Sequence, residues 1–194
     1  NLDMRRYKNL ELFVHAEDLK DVLRSDVDPQ AKFFIRFGSD ATDNYYEYET
    51  SLKYTAQNAI SPLDIWPVEN QVNLAIQEFV NAKMKRDELE RDGAPGVEFD
   101  KRFNYTEFGD DNKNIYVKGR PSLGNVTTIM LGVRNTDPTS GPNKNFYKAG
   151  PKDLVLWVNE IRLSEIENKG SYAGNASLNF NLGDFAMVNA NAAY

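Results

Sequence analysis

Residues 175–194 restrict the architecture of this chain more than any other stretch. In Asn175-Ala-Ser-Leu-Asn-Phe-Asn-Leu182, Ala176, Leu178, Phe180 and Leu182 alternate strictly with Asn175, Ser177, Asn179 and Asn181. Beyond Gly183-Asp184-Phe185, Ala186, Val188, Ala190, Ala192 and Tyr194 share one face, and Met187, Asn189, Asn191 and Ala193 share the other. A period of two is the signature of extended chain, because successive side chains of a strand point to opposite faces. Asp184, at the expected turn, is the only ionisable side chain between Asn175 and Tyr194. Two tightly joined strands with one apolar and one neutral polar face have the pattern of a hairpin from a transmembrane β-barrel.

Upstream of Gly170 the chain has a different character. Of its 194 residues, 41% are hydrophobic and 12% aromatic, ample for a packed core. The expectation is a β-sandwich domain over residues 1–168 and the start of barrel strands over 169–194, within a larger protein whose strands continue. A net charge of −6 argues against a nucleic-acid surface. With no cysteine, disulfides and thiolate metal sites are excluded. No apolar run approaches the ~20 residues of a membrane helix.

Strand patterns recur along 1–168. Leu10-Glu-Leu-Phe-Val-His15, Ala31-Lys-Phe-Phe-Ile-Arg-Phe37, Asn44-Tyr-Tyr-Glu-Tyr-Glu-Thr50, Val72-Asn-Leu-Ala-Ile76 and Asn114-Ile-Tyr-Val-Lys118 all read as extended. Val126 to Val133 and Leu154 to Leu163 do so most clearly. Residues 16–27 suit a short helix or an irregular excursion, and 136–151 an exposed loop. Gln77 to Arg91 carries apolar residues at helical spacing among Lys, Arg and Glu and stops at Asp92-Gly-Ala-Pro-Gly96. Lys83, Lys85, Arg86 and Arg91, interleaved with acids, read as a solvated helix face. Many short strands with one helical insertion predict a mainly β protein: an antiparallel, jelly-roll-like sandwich followed by the hairpin.

An ordered set of motifs spans most of the chain: Asp3-Met-Arg-Arg-Tyr7, Glu11-Leu-Phe-Val-His-Ala-Glu17, Phe34-Ile-Arg-Phe-Gly-Ser-Asp40, Asn44-Tyr-Tyr-Glu-Tyr-Glu49 and Ile65-Trp-Pro67. Gly119-Arg-Pro-Ser-Leu-Gly-Asn125, Ile129-Met-Leu-Gly-Val-Arg-Asn135 and Leu156-Trp-Val-Asn-Glu-Ile-Arg-Leu163 follow. Together they resemble the SprA/Sov family, the outer-membrane translocon of the Bacteroidetes type IX secretion system, required in some members for gliding motility. The resemblance implies a fragment of a pore-forming barrel that moves folded cargo across the outer membrane. Its implied partners are other translocon subunits and secreted proteins. Leu74 to Phe79 and Leu154 to Leu163 also resemble strands of jelly-roll carbohydrate-binding modules, which makes a cell-surface carbohydrate-binding module the alternative. Barrels of this class have short periplasmic turns and long extracellular loops. A short turn at Gly183-Asp184-Phe185 therefore places residues 1 to about 168 on the extracellular side, shaping or capping the pore.

No catalytic residue, cofactor or metal ligand is assigned with this reading. His15 is the only histidine, so a multi-histidine metal site is impossible, and no nucleophile-elbow motif accompanies it. Asp40 and Asp43, with Glu47 nearby, and the pair Asp110 and Asp111 are oxygen-rich enough to be weak candidates for a structural Ca²⁺; solvated turns are the ordinary reading. Tyr46, Tyr48 and Trp66 present flat apolar faces able to stack on a sugar ring, against the plainer expectation of core and rim packing. Tyr46 and Tyr48 share one strand face and Tyr45 the other. Non-enzymatic function is the expectation, with a glycosidase as the least favoured class.

Overall fold

The computed structural model describes residues 1–18, 31–56, 58–106, 113–134, 153–166, 175–181 and 187–193. These contain β1 (Tyr7–Asp18), β2 (Lys32–Gly38), β3 (Tyr45–Ser51), α1 (Pro62–Ile65), β4 (Gln71–Ala75), α2 (Ile76–Arg91), β5 (Phe103–Asn104), β6 (Lys113–Lys118), β7 (Thr128–Arg134), β8 (Leu154–Ile166), β9 (Asn175–Asn181) and β10 (Met187–Ala193). Two antiparallel sheets are stacked. One runs β5-β6-β3-β2-β7 and the other β4-β1-β8. The mainly β sandwich with a helical insertion is therefore what the alternating segments build. Residues 16–18 continue β1; the rest of the expected excursion and the 136–151 loop lie outside the described residues.

Alternation sets which side chains meet. Leu10, Leu12 and Val14 of β1 are buried, as are Phe33, Ile35 and Phe37 of β2, Tyr46 and Tyr48 of β3, Ile115 and Val117 of β6, and Val72 and Leu74 of β4. Each fully buried apolar side chain of this size contributes about 1.5–3 kcal/mol. The helix α2 seals one flank of the sandwich. Its buried residues Ile76, Phe79, Ala82 and Arg86 fall on one face at helical spacing, and the Phe79 ring meets Phe37 edge-on at 4.6 Å. Gly93, with φ of 74°, then turns the chain out of the helix.

Strands β9 and β10 pair antiparallel as expected, and the turn expected at Gly183-Asp184-Phe185 lies outside the described residues. In their register Val188 lies opposite Phe180, Ala190 opposite Leu178 and Ala192 opposite Ala176, while Asn189 meets Asn179 and Asn191 meets Ser177. The five central pairs thus match apolar with apolar and polar with polar, whereas the end pairs Met187 with Asn181 and Ala193 with Asn175 are mixed.

Candidate functional site

The outer face of the five-stranded sheet carries the densest polar constellation. Strand β3 sends Tyr46 and Tyr48 inward, so Tyr45, Glu47 and Glu49 point away from the core. Glu47 and Glu49 are nevertheless 0% exposed, because cations from three neighbouring segments roof them. Arg36 sits directly across from Glu47 on β2 and donates its Nε to the carboxylate. Arg134, at the end of β7, donates Nη2 to Glu47 Oε2 at 2.8 Å and Nη1 to both Glu47 and Glu49. Arg102, from the segment before β5, reaches both carboxylates, and Lys32 Nζ lies 3.2 Å from Glu49 Oε1.

Aromatic rings hold the cations in place. The Arg134 guanidinium lies 4.2 Å from the Phe34 ring centre, Arg36 4.2 Å from that of Tyr45, and Arg102 3.2 Å from that of Tyr116. Phe34 pairs with Gly132 on β7, and a Cβ at Gly132 would stand 2.5 Å from the Phe34 ring; the missing side chain is what lets the ring lie flat across the strand. Burial pushes the Glu47 carboxyl upward, but the hydrogen bonds from Arg134 and the charges of Arg102 and Arg134 outweigh it, leaving Glu47 below its ordinary value of 4.5. Tyr116 is pushed up to about 12, chiefly by burial and next by Glu49.

Asp40 closes the turn between β2 and β3. Its Oδ1 accepts from the backbone amides of Thr42, Asp43 and Asn44, and its Oδ2 from Asn44 Nδ2 at 2.8 Å. Those bonds, the Asp43 amide first among them, hold its carboxyl well below the usual range. Asp43 Oδ1 takes Lys118 Nζ at 2.9 Å. On the other sheet, His15 is buried with both ring nitrogens engaged. Nδ1 meets the Ile65 carbonyl and Thr55 Oγ1, and Nε2 lies 2.8 Å from Glu17 Oε1. The Trp66 ring packs 5.5 Å from the imidazole.

Among the described residues, no element covers the flank opposite α2. Ile129, Leu131 and Val133 of β7 pair with Phe37, Ile35 and Phe33, and so share the core-facing side of the sheet, yet all three are exposed. A cleft of ≈ 330 Å³ lies here, its walls including Ile129 from one sheet and Ile161 and Leu163 from the other, its floor Leu10, Ile35 and Phe37. Trp157 on β8 is 61% exposed.

A family model described as "motility related/secretion protein", SprA_N, matches residues 1–194. The chain belongs to this family. A search of curated proteins finds no match.

Within this SprA_N chain the sequence-predicted site residues do not form one site. Tyr46 and Tyr48 lie in the core, where Tyr46 packs on Phe37 and Phe79, so neither ring is presented to a ligand. Trp66 is half-buried against His15 on the other sheet. Asp40 and Asp43 share one loop, each committed to protein donors. Asp110 and Asp111 lie outside the described residues. Glu47, near Asp40 and Asp43 in sequence, turns toward the arginines instead. Arg86 overturns the expectation of a solvated face: it is 1% exposed, and its Nη1 donates to the Gly119 carbonyl at 2.6 Å.

For the Asp40 turn, Asp40→Ala removes the acceptor of three backbone amides and should lower stability by about 1–2 kcal/mol, as loss of a side-chain cap does. Asp40→Asn, which keeps one acceptor oxygen, should recover part of the loss in a urea melt. Equal midpoints for the two variants would show that the carboxylate does not organise the turn.

Proposed function

We propose that this SprA_N chain is a non-enzymatic structural and interaction domain of a type IX secretion translocon in the Bacteroidetes outer membrane. In this reading the sandwich over 1–168 is an insertion that shapes or caps the pore on the extracellular side, and 169–194 begins the transmembrane barrel. Its partners are other translocon subunits and the secreted cargo, in a system that also serves gliding motility. The observation that carries the reading is the register of β9 and β10, whose five central pairs set apolar opposite apolar and uncharged polar opposite polar, with no charged residue in either strand, a pattern suited to a wall between lipid and a water-filled lumen. Membership of a motility and secretion family supports it.

The chemistry of the described residues favours binding over catalysis. An acid–base pair needs a group free to exchange a proton with substrate. Glu47 and Glu49 are instead clamped by arginines, and both nitrogens of His15 are engaged. The carbohydrate-binding alternative draws no support from Tyr46 and Tyr48, buried as they are.

Sidedness is open to direct measurement. Met84 is exposed on the outer face of α2, and the 194 residues contain no cysteine. Met84→Cys in the full protein should react with a membrane-impermeant maleimide on intact cells, above the background of the unsubstituted protein. Labelling only after the outer membrane is permeabilised would move the domain to the periplasm.

A further inference from the structure

We infer that His15 and Glu17 form a proton-operated switch near the end of β1. The ring holds the Glu17 carboxylate while both its nitrogens carry protons, and releases it when Nε2 loses its proton. This goes beyond a structural or capping role and does not depend on one.

The hydrogen-bond partners of the ring carry the inference. A neutral imidazole offers one N–H and one lone pair, whereas the charged form offers two N–H groups and no lone pair. Nδ1 faces the Ile65 carbonyl, which can only accept. Thr55 Oγ1 lies 3.1 Å from Nδ1 and donates its own hydrogen to that same carbonyl, so toward the ring it too is an acceptor. Nε2 lies 2.8 Å from Glu17 Oε1. Both nitrogens therefore point at acceptors, and only the charged ring satisfies both. A neutral ring sets a lone pair against a carbonyl or a carboxylate, which a buried site tolerates poorly.

Burial decides which contact yields. The His15 side chain is 6% exposed and packs on Trp66, and the Ile65 carbonyl is backbone, so neither has room to withdraw. Glu17 is 48% exposed and can turn its carboxylate to water. Nδ1 therefore keeps its hydrogen and goes on bracing the loop that carries Thr55 and Ile65, while Nε2 is where the proton comes and goes. Among the described residues, Glu17 is the ionisable group hydrogen-bonded to the ring. From β8, Trp157 lies across from His15. On the loop side Asp64 accepts from Ser61 Oγ at 2.8 Å and Glu69 takes Lys53 Nζ at 2.6 Å. Asp18 falls on the alternate face of β1. Loss of the proton thus converts a closed ion pair into a bare carboxylate near the end of the strand.

The test is clean because histidine is the side chain whose charge ordinarily changes between about pH 5 and 8, and His15 is the only one in the 194 residues. With ¹⁵N-labelled histidine in the 194-residue chain, NMR from about pH 5.5 to about pH 8.5 reads both ring nitrogens directly. Nδ1 should stay protonated throughout, and Nε2 should lose its proton as the pH rises. Melting supplies the second reading. A proton held more firmly by the folded than by the unfolded chain stabilises the acid side of the window and contributes nothing once the ring is neutral. The melting temperature should therefore fall by about 2–4 °C as the pH rises across the window. Glu17→Gln, whose amide can donate to a neutral Nε2 or accept from a protonated one, should fall by about half as much or less. A melting temperature that rises with pH would mean that the ring folds neutral, and overturns the proposal. So does loss of the proton from Nδ1 in place of Nε2, or an equal fall in the Glu17→Gln variant.

Discussion

Glu47→Gln should cost the sandwich about 3–5 kcal/mol, the range for removing one partner from a buried ion pair. The substitution keeps shape and volume. It leaves Arg36, Arg102 and Arg134 without the carboxylate on which all three converge. A urea or thermal melt reads the loss directly, with the melting temperature falling on the order of 10 °C. Acid behaviour supplies a second signature. The folded Glu47 carboxyl titrates below its ordinary 4.5, so its contribution is complete above that pH and disappears as pH falls through the folded value. The parent protein should therefore lose stability steeply on acidification below pH 4.5, and the Gln variant should show a shallower loss there. An unshifted melt, or the same acid slope, would mean that the arginines are served by other acceptors.

Gly119→Ala is expected to be nearly as damaging, through backbone geometry. Gly119 adopts φ of 70°, a conformation that costs other L-residues roughly 1–2 kcal/mol. A Cβ there would also stand 2.0 Å from the Asp43 carbonyl oxygen, which is backbone and cannot swing aside. Forcing that loop to shift adds about 1–3 kcal/mol. The residue is a crossing point as well: its amide donates to the Phe99 carbonyl and its own carbonyl accepts from Arg86. Gly124→Ala is the natural comparison, since a Cβ at Gly124 would meet only the flexible end of the Arg5 side chain. The alanine at 119 should lower the urea midpoint well below the alanine at 124; similar midpoints would rule out the collision as the cause.

Much of this architecture was legible because period-two alternation is a local signal. Phe33, Ile35 and Phe37 against Lys32, Phe34 and Arg36, and Tyr46 and Tyr48 against Tyr45, Glu47 and Glu49, divide core from outer face without any knowledge of the fold. The helix was legible for the same reason at a different period. Placement across the chain was not. The approach of Arg134 and Arg102 to Glu47 depends on β7 joining β2 and on β6, which carries β5 at its edge, joining β3, pairings between segments far apart in sequence. One hint was present: opposite charges on the outward faces of two adjacent strand patterns, Arg36 and Glu47, which the register sets across from each other. Arg86 was missed because a charged residue among Lys and Glu looks solvated until the Gly119 carbonyl is seen above it. Tyr46 and Tyr48 illustrate the converse. An aromatic side chain suits a ligand platform and a core equally well, and only the facing sheet decides which it becomes.

Among the described residues the two flanks of the sandwich differ. Helix α2 caps the first, whereas Ile129, Leu131 and Val133 are exposed at the second. In terms of thermodynamic linkage, any group that bound the second flank in the folded state alone would add its free energy of association to that of folding. Such a domain would be least stable with that flank vacant and would resist unfolding more as it filled. Local stability would then report on how far that flank is occupied.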